Sequence, residues 1–196
     1  MTMSDRLREG IAMGSTHRLL DPRSDWVFDT HDLGRQAGRM KETSAVAEAP
    51  ADLGIEVIGV PASSPVRLEL KLESVVEGVL VTGTAAAELQ GECVRCLEPI
   101  SEELEIDLLE LFLYPDQEPD DTESSRLVDE LLDLEPVVRD GMVLEMPFQP
   151  LCQAECQGLC PECGANLNAN PDHQHEAPID PRWSALGQLA ERDQQD

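Results

Sequence analysis

All six cysteines of the chain stand in three close pairs, Cys93-x2-Cys96, Cys152-x3-Cys156 and Cys160-x2-Cys163, and two of its four histidines make a fourth pair, His173-x-His175. Thiolates and imidazoles in this arrangement suit zinc, which takes four such donors in a tetrahedron at about 2.0–2.3 Å and accepts two at once from a short loop. Eight donors in four pairs predict two Zn2+ sites; a single site results if only two pairs converge. Cys160-Pro-Glu-Cys-Gly164 is the most specific piece, a small turn whose amides can point at the thiolates, with Gly164 free to take a positive φ. Gly91-Glu-Cys-Val-Arg-Cys-Leu97 repeats the ligand spacing.

Other cysteine chemistries fit less well. Disulfides are rarely kept in a reducing compartment. A thioredoxin-like redox pair needs a βαβ pattern around it, and none is visible. Nucleophilic catalysis asks for a base in a pocket, whereas these histidines adjoin paired cysteines. Sites with four protein donors keep no open coordination position, so the expected role is structural, and no catalytic residue is nominated.

Four pairs allow three groupings. The favoured one joins Cys160, Cys163, His173 and His175, since nine residues separate Cys163 from His173 and let the loop fold back. Cys93, Cys96, Cys152 and Cys156 then form the other group, stapling two segments more than fifty residues apart. The rival joins the two Cys-x2-Cys knuckles, Cys93/Cys96 with Cys160/Cys163, as in a zinc ribbon. Joining Cys152/Cys156 with Cys160/Cys163 leaves only three residues between pairs, which is cramped.

The elements that must position these donors read as follows. In Val66-Arg-Leu-Glu-Leu-Lys-Leu-Glu73 apolar and charged residues alternate for eight positions, the mark of a half-buried antiparallel strand, with Pro65 before it and Glu77-Gly78 after it. Val79 to Thr84 reads as the next strand, and Leu104, Ile106 and Leu108 alternate in a third. Trp26-Val27-Phe28 forms an apolar cluster able to dock on a core, and 41–52 reads as a linker by composition. Asp133 can cap a short helix with Leu134, Val137, Val138 and Met142 on one face, Pro136 in its first turn, and Pro147 and Pro150 ending it. The expected class is α+β, mainly β: a curled antiparallel meander or partial barrel with a short helix and a C-terminal zinc-binding module. The expected division is a mobile N-terminal tail at 1–24, a β-rich core at 25–150 with a solvated acidic loop at 115–125, the zinc module at 151–178 and a C-terminal tail at 179–196.

Composition sets the partner. The 196 residues carry 40 acids against 14 bases, a net charge of −26, so the surface repels phosphate backbones and offers no basic track for nucleic acid. A basic protein suits this charge, because complementary fields speed encounter. Aromatics are only 3%, so the core must be built from Leu, Val, Ile and Ala. No run of 18 apolar residues predicts a membrane span, and MTMSDRLREG lacks the apolar stretch of a secretory signal, so the expected location is cytoplasmic.

Gly91-Glu-Cys-Val-Arg-Cys-Leu-Glu-Pro99, Pro147-Phe-Gln-Pro-Leu-Cys152, Cys156-Gln-Gly-Leu-Cys-Pro-Glu-Cys-Gly-Ala-Asn-Leu-Asn168 and Asp180-Pro-Arg-Trp-Ser-Ala-Leu186, with DTHDLGRQAG near the start, together carry a resemblance. Over roughly residues 25–190 the chain resembles the YceD-like family of large ribosomal RNA subunit accumulation proteins, most closely its actinobacterial members. Many relatives close the module with Cys-x-Cys where this chain has His173-x-His175, a swap that zinc tolerates. The resemblance implies a non-enzymatic role in 23S rRNA accumulation and large-subunit assembly, with a basic ribosomal protein or an assembly or processing factor as partner and indirect contact with RNA. The alternatives are an RNA-processing enzyme, which would need a basic substrate track, and RNA binding by the zinc modules, whose only bases are Arg95 and the distant Arg182.

Overall fold

In a computed structural model the described residues are 19–117 and 124–175. Residues 1–18 of the expected N-terminal tail at 1–24, the expected C-terminal tail at 179–196, the tip of the acidic loop at 118–123 and the Asp180–Leu186 motif lie outside them.

The alternating run of Leu and Glu becomes β4 of the chain. In order, the strands are β1 (Val27–Asp29), β2 (Met40–Glu48), β3 (Ile58–Gly59), β4 (Pro65–Ser74), β5 (Gly78–Glu92), β6 (Pro99–Leu113) and β7 (Leu131–Asp133), followed by helix α1 (Glu135–Glu145). The strands β4, β5 and β6 form an antiparallel meander, with β2 antiparallel to β4 on its far side. β6 occupies one edge of β5 along its whole length, so the short β3 shares the opposite edge with β4, at Gln90–Gly91. β2 and β6 do not pair with each other, and the sheet stays open rather than closing into a barrel. A second, two-stranded sheet pairs β1 with β7, opposing Phe28 to Leu132.

The period of two sorts side chains onto two faces. Val66, Leu68, Leu70 and Leu72 of β4, Val81, Ala85 and Leu89 of β5, and Ile106 and Leu108 of β6 point inward and are buried. They meet Trp26, Leu132, Leu134, Val138 and Met142, so α1 and the β1–β7 ribbon cover the inner face. Asp133 Oδ1 accepts the Glu135 amide at 3.0 Å at the start of α1, and Pro136 falls in the first turn where its missing N–H is harmless. A Cβ on Gly141 would stand 2.7 Å from Ile106 Cδ1, so this glycine lets the helix lie close on β6. Trp26 docks as expected, its Nε1 donating to Glu48 O at 3.0 Å.

One expectation is corrected. The 41–52 stretch is mostly not a linker: Lys41 to Glu48 pair residue by residue with β4. Of the residues on its inward side, Thr43, Ala45 and Ala47 are too small and Lys41 too polar to write an apolar alternation, and β4 supplies the pairing that their propensity does not. β5 and β6 are also longer than their apolar cores, because pairing with each other carries Glu88–Glu92 and Pro99–Glu103 into the ladder.

Candidate metal centres

The first group of donors forms where two loops meet. Cys93 and Cys96 lie in the turn between β5 and β6, while Cys152 and Cys156 follow α1. Antiparallel pairing of β5 with β6 down to Glu92 and Pro99 fixes the turn, which Cys93 N–H closes onto Glu98 O at 2.8 Å. Val94 N–H then donates to Pro150 O at 3.0 Å, drawing in the segment that carries Cys152. The four sulfurs lie within 4.8 Å of one another, with Cys93 to Cys156 at 3.8 Å and Cys96 to Cys152 at 3.4 Å. A tetrahedron with about 2.3 Å metal–sulfur bonds has sulfurs ~3.8 Å apart, so the donor set fits a tetrahedral ion. Cys93, Cys96 and Cys156 are buried, and Ile100, Leu151 and Leu159 pack round them.

The electrostatics of this group also ask for a cation. Burial pushes the Cys93 thiol up, yet the amides of Cys152, Cys96 and Arg95 overcome it and hold the thiol at about 6. The Asn168 side chain lowers Cys156 against the same burial. Cys152 faces Cys96 and is pushed up to about 12, and Cys96 is raised by burial and by Cys93 and Cys156 against the Glu98 amide. Two thiols are thus prepared to ionise and two resist, because four thiolates cannot share so small a volume without a counter-charge. A divalent ion removes that conflict.

The second group gathers within one short loop. Leu159 and Asn166 form an antiparallel bridge, Cys160 N–H donates to Ala165 O at 2.8 Å, and Gly164 takes φ +73 with nothing near its missing Cβ. This turn presents Cys160 and Cys163, and the chain returns so that His175 Nε2 lies 3.3 Å from Cys160 Sγ and His173 Nε2 3.1 Å from Cys163 Sγ. The two Nε2 atoms stand 2.9 Å apart, and all four donor atoms lie within 4.8 Å. Glu162 Oε2 is 3.5 Å from His175 Nδ1, the ring nitrogen other than the Nε2 that meets the thiols, where a carboxylate can orient a metal-binding imidazole. Amides of Cys163 and Glu162 lower the Cys160 thiol to about 6.

All eight donors singled out in the sequence therefore fall into two sets of four: Cys93, Cys96, Cys152 and Cys156, and Cys160, Cys163, His173 and His175. Each set can hold a metal ion. Three supporting residues were not legible. Asn168 donates from Nδ2 to Cys156 Sγ at 3.3 Å, while its Oδ1 accepts the Gln157 amide at 2.8 Å. Asn166 Nδ2 reaches Glu98 Oε1 at 3.2 Å, tying the second loop to the first turn. Arg95, the one local base considered for RNA, instead donates from Nη1 to Cys156 O at 2.9 Å. The run Ala-Asn-Leu-Asn-Ala-Asn at 165–170 was the available signal, since alternate asparagines favour side-chain turns.

Comparison with known proteins adds the family. The profile described as Large ribosomal RNA subunit accumulation protein YceD matches residues 81–190, which span both groups of donors. An uncharacterized protein of Mycobacterium tuberculosis is 45% identical over 170 residues, covering 85% of this chain and 82% of its own. The uncharacterized protein YlbN of Bacillus subtilis is 25% identical over 169 residues, covering 85% of this chain and 96% of its own. A maize protein named Large ribosomal RNA subunit accumulation protein YCED homolog 1, chloroplastic, is 27% identical over 172 residues, covering 70% of this chain and 52% of its own. No solved structure matches the chain.

Proposed function

Since the chain belongs to the YceD family of large ribosomal RNA subunit accumulation proteins, we propose that it is a non-enzymatic cytoplasmic factor supporting 23S rRNA accumulation and assembly of the large ribosomal subunit. In this reading it works by holding a basic ribosomal protein or a basic assembly or processing factor on its acidic surface. Two zinc ions, one in each group of donors, shape the C-terminal module. The observation that carries the protein-binding form of the role is the charge: 40 acids against 14 bases give no track along which a phosphate backbone would settle. Arg95 supports it further, because its guanidinium is engaged with Cys156 O. Four protein donors at each centre fit zinc as a structural ion, which would stiffen the loops and supply no chemistry to a substrate.

The test is a pull-down from cells expressing the tagged full chain, with and without ribonuclease. Basic proteins that stay bound after RNA is removed, and leave as salt rises through the range where the screening length falls below about 8–10 Å, support this reading. Partners lost on ribonuclease treatment, with naked ribosomal RNA bound more tightly than any protein, overturn it in favour of direct RNA binding.

A further inference from the structure

The outer face of the large sheet has no element lying on it among the described residues, and its composition is unusual. Pairing register places Val46, Arg67, Ala86 and Glu105 in one row across β2, β4, β5 and β6, and Ser44, Glu69, Thr84 and Asp107 in the next. The central strand thus carries small residues, with Ala86 only 6% exposed, while longer side chains stand on both sides. Acidic side chains dominate that rim, with Glu69 on one side and Glu103, Glu105 and Asp107 on the other. The bases on the face, Arg67 and Lys71, are already paired within it, to Glu103 and Glu73. Three large apolar side chains stand bare among the acids: Met40 at 58%, Val46 at 60% and Leu109 at 73% exposure. Beside them, among the described residues, β6 offers a free edge from Pro99 to Phe112.

We infer that this outer sheet face, with the β6 edge, is the docking surface for a lysine- and arginine-rich protein segment that also carries apolar side chains. The inference rests on the proposed protein-binding role and names the surface that performs it. Charge complementarity selects the occupant. A second copy would set acid against acid, and RNA would set phosphate against carboxylate. A basic segment crossing the trough meets carboxylates on both walls, and its apolar residues cover Met40, Val46 and Leu109. The free edge of β6 can add main-chain pairing to an extended segment.

The experiment uses the immobilised full chain and, as probe, the total protein of large ribosomal subunits extracted free of RNA. One variant reverses the face, Glu69→Lys with Glu105→Lys and Asp107→Lys. A control makes the same charge change away from it, Glu56→Lys with Asp140→Lys and Glu145→Lys, all exposed. Melting temperature and metal content of both are compared with the parent. The expected result is retention of basic proteins by the parent, a loss of at least about tenfold in the face variant, and a change within about twofold in the control. Equal losses in both variants, or a larger loss in the control, overturn the face while leaving the protein-binding role standing. No protein retained by the parent overturns the role and the face together. Should the face variant fail to fold, carbodiimide labelling of the parent complex decides: protection of Glu69, Glu105 and Asp107 but not of Glu56, Asp140 and Glu145 supports the face, and the reverse pattern overturns it.

Discussion

Asn168 holds Cys156: its Nδ2 donates to the Cys156 sulfur at 3.3 Å while its Oδ1 is pinned by the Gln157 amide. The amide therefore has one orientation, and it favours the thiolate, lowering Cys156 against burial. Because Asn168 sits in the loop of the second group, one side chain aligns a donor of the first group from the turn that builds the other.

Asn168→Ala should leave the fold intact and loosen the first centre. Removal of an outer partner of this kind weakens metal binding by about 10–100-fold. Competition with a chromophoric chelator should show one of two zinc ions leaving more readily than in the parent. Release indistinguishable from the parent would assign Asn168 to loop structure alone.

The two centres should differ in what they stabilise. The first joins the β5–β6 turn to the segment after α1 and buries three of its four donors, Cys93, Cys96 and Cys156, leaving Cys152 exposed. The second spans Cys160 to His175 and leaves Cys163 exposed. Metal-binding energy is folding energy in small modules. Cys96→Ser should lower the melting temperature of the whole chain, whereas Cys160→Ser should speed hydrogen exchange chiefly within 157–175. Equal global loss from both substitutions would count against two independent centres.

How much of this was legible follows from side-chain size and spacing. β4 could be read because Leu68, Leu70 and Leu72 alternate with charges, and α1 because Val138 and Met142 are one helical turn apart. β2 could not, since Ala45 and Ala47 carry little of the signal that Leu carries; its place comes from pairing with β4, a long-range fact. The eight donors were legible because thiols and imidazoles in close pairs serve few purposes. Asn166 and Asn168 were not, because an asparagine in a loop serves many, and only the fold brings Asn168 to Cys156.

His31 provides a pH-dependent contact apart from the metal centres. Its Nδ1 lies 2.6 Å from Glu130 Oε2, joining the turn after β1 to the turn before β7, and this hydrogen bond with the charge of Glu130 raises its pKa. A group raised on folding stabilises most when protonated. The contribution is therefore present below the ordinary imidazole value of about 6.5 and fades as pH rises through the higher folded value. Both side chains are exposed, so the effect is small and screened by salt. An NMR titration should place the His31 midpoint above 6.5 and Glu130→Gln should return it toward 6.5; no difference between the two proteins would remove the interaction.

The central claim is that eight side chains form two closed metal centres, and native mass spectrometry of the full chain tests it most directly. The account predicts two zinc ions per chain, falling to one in Cys160→Ser with the ion of the Cys93, Cys96, Cys152 and Cys156 group retained. A parent carrying a single zinc, or none, would contradict it.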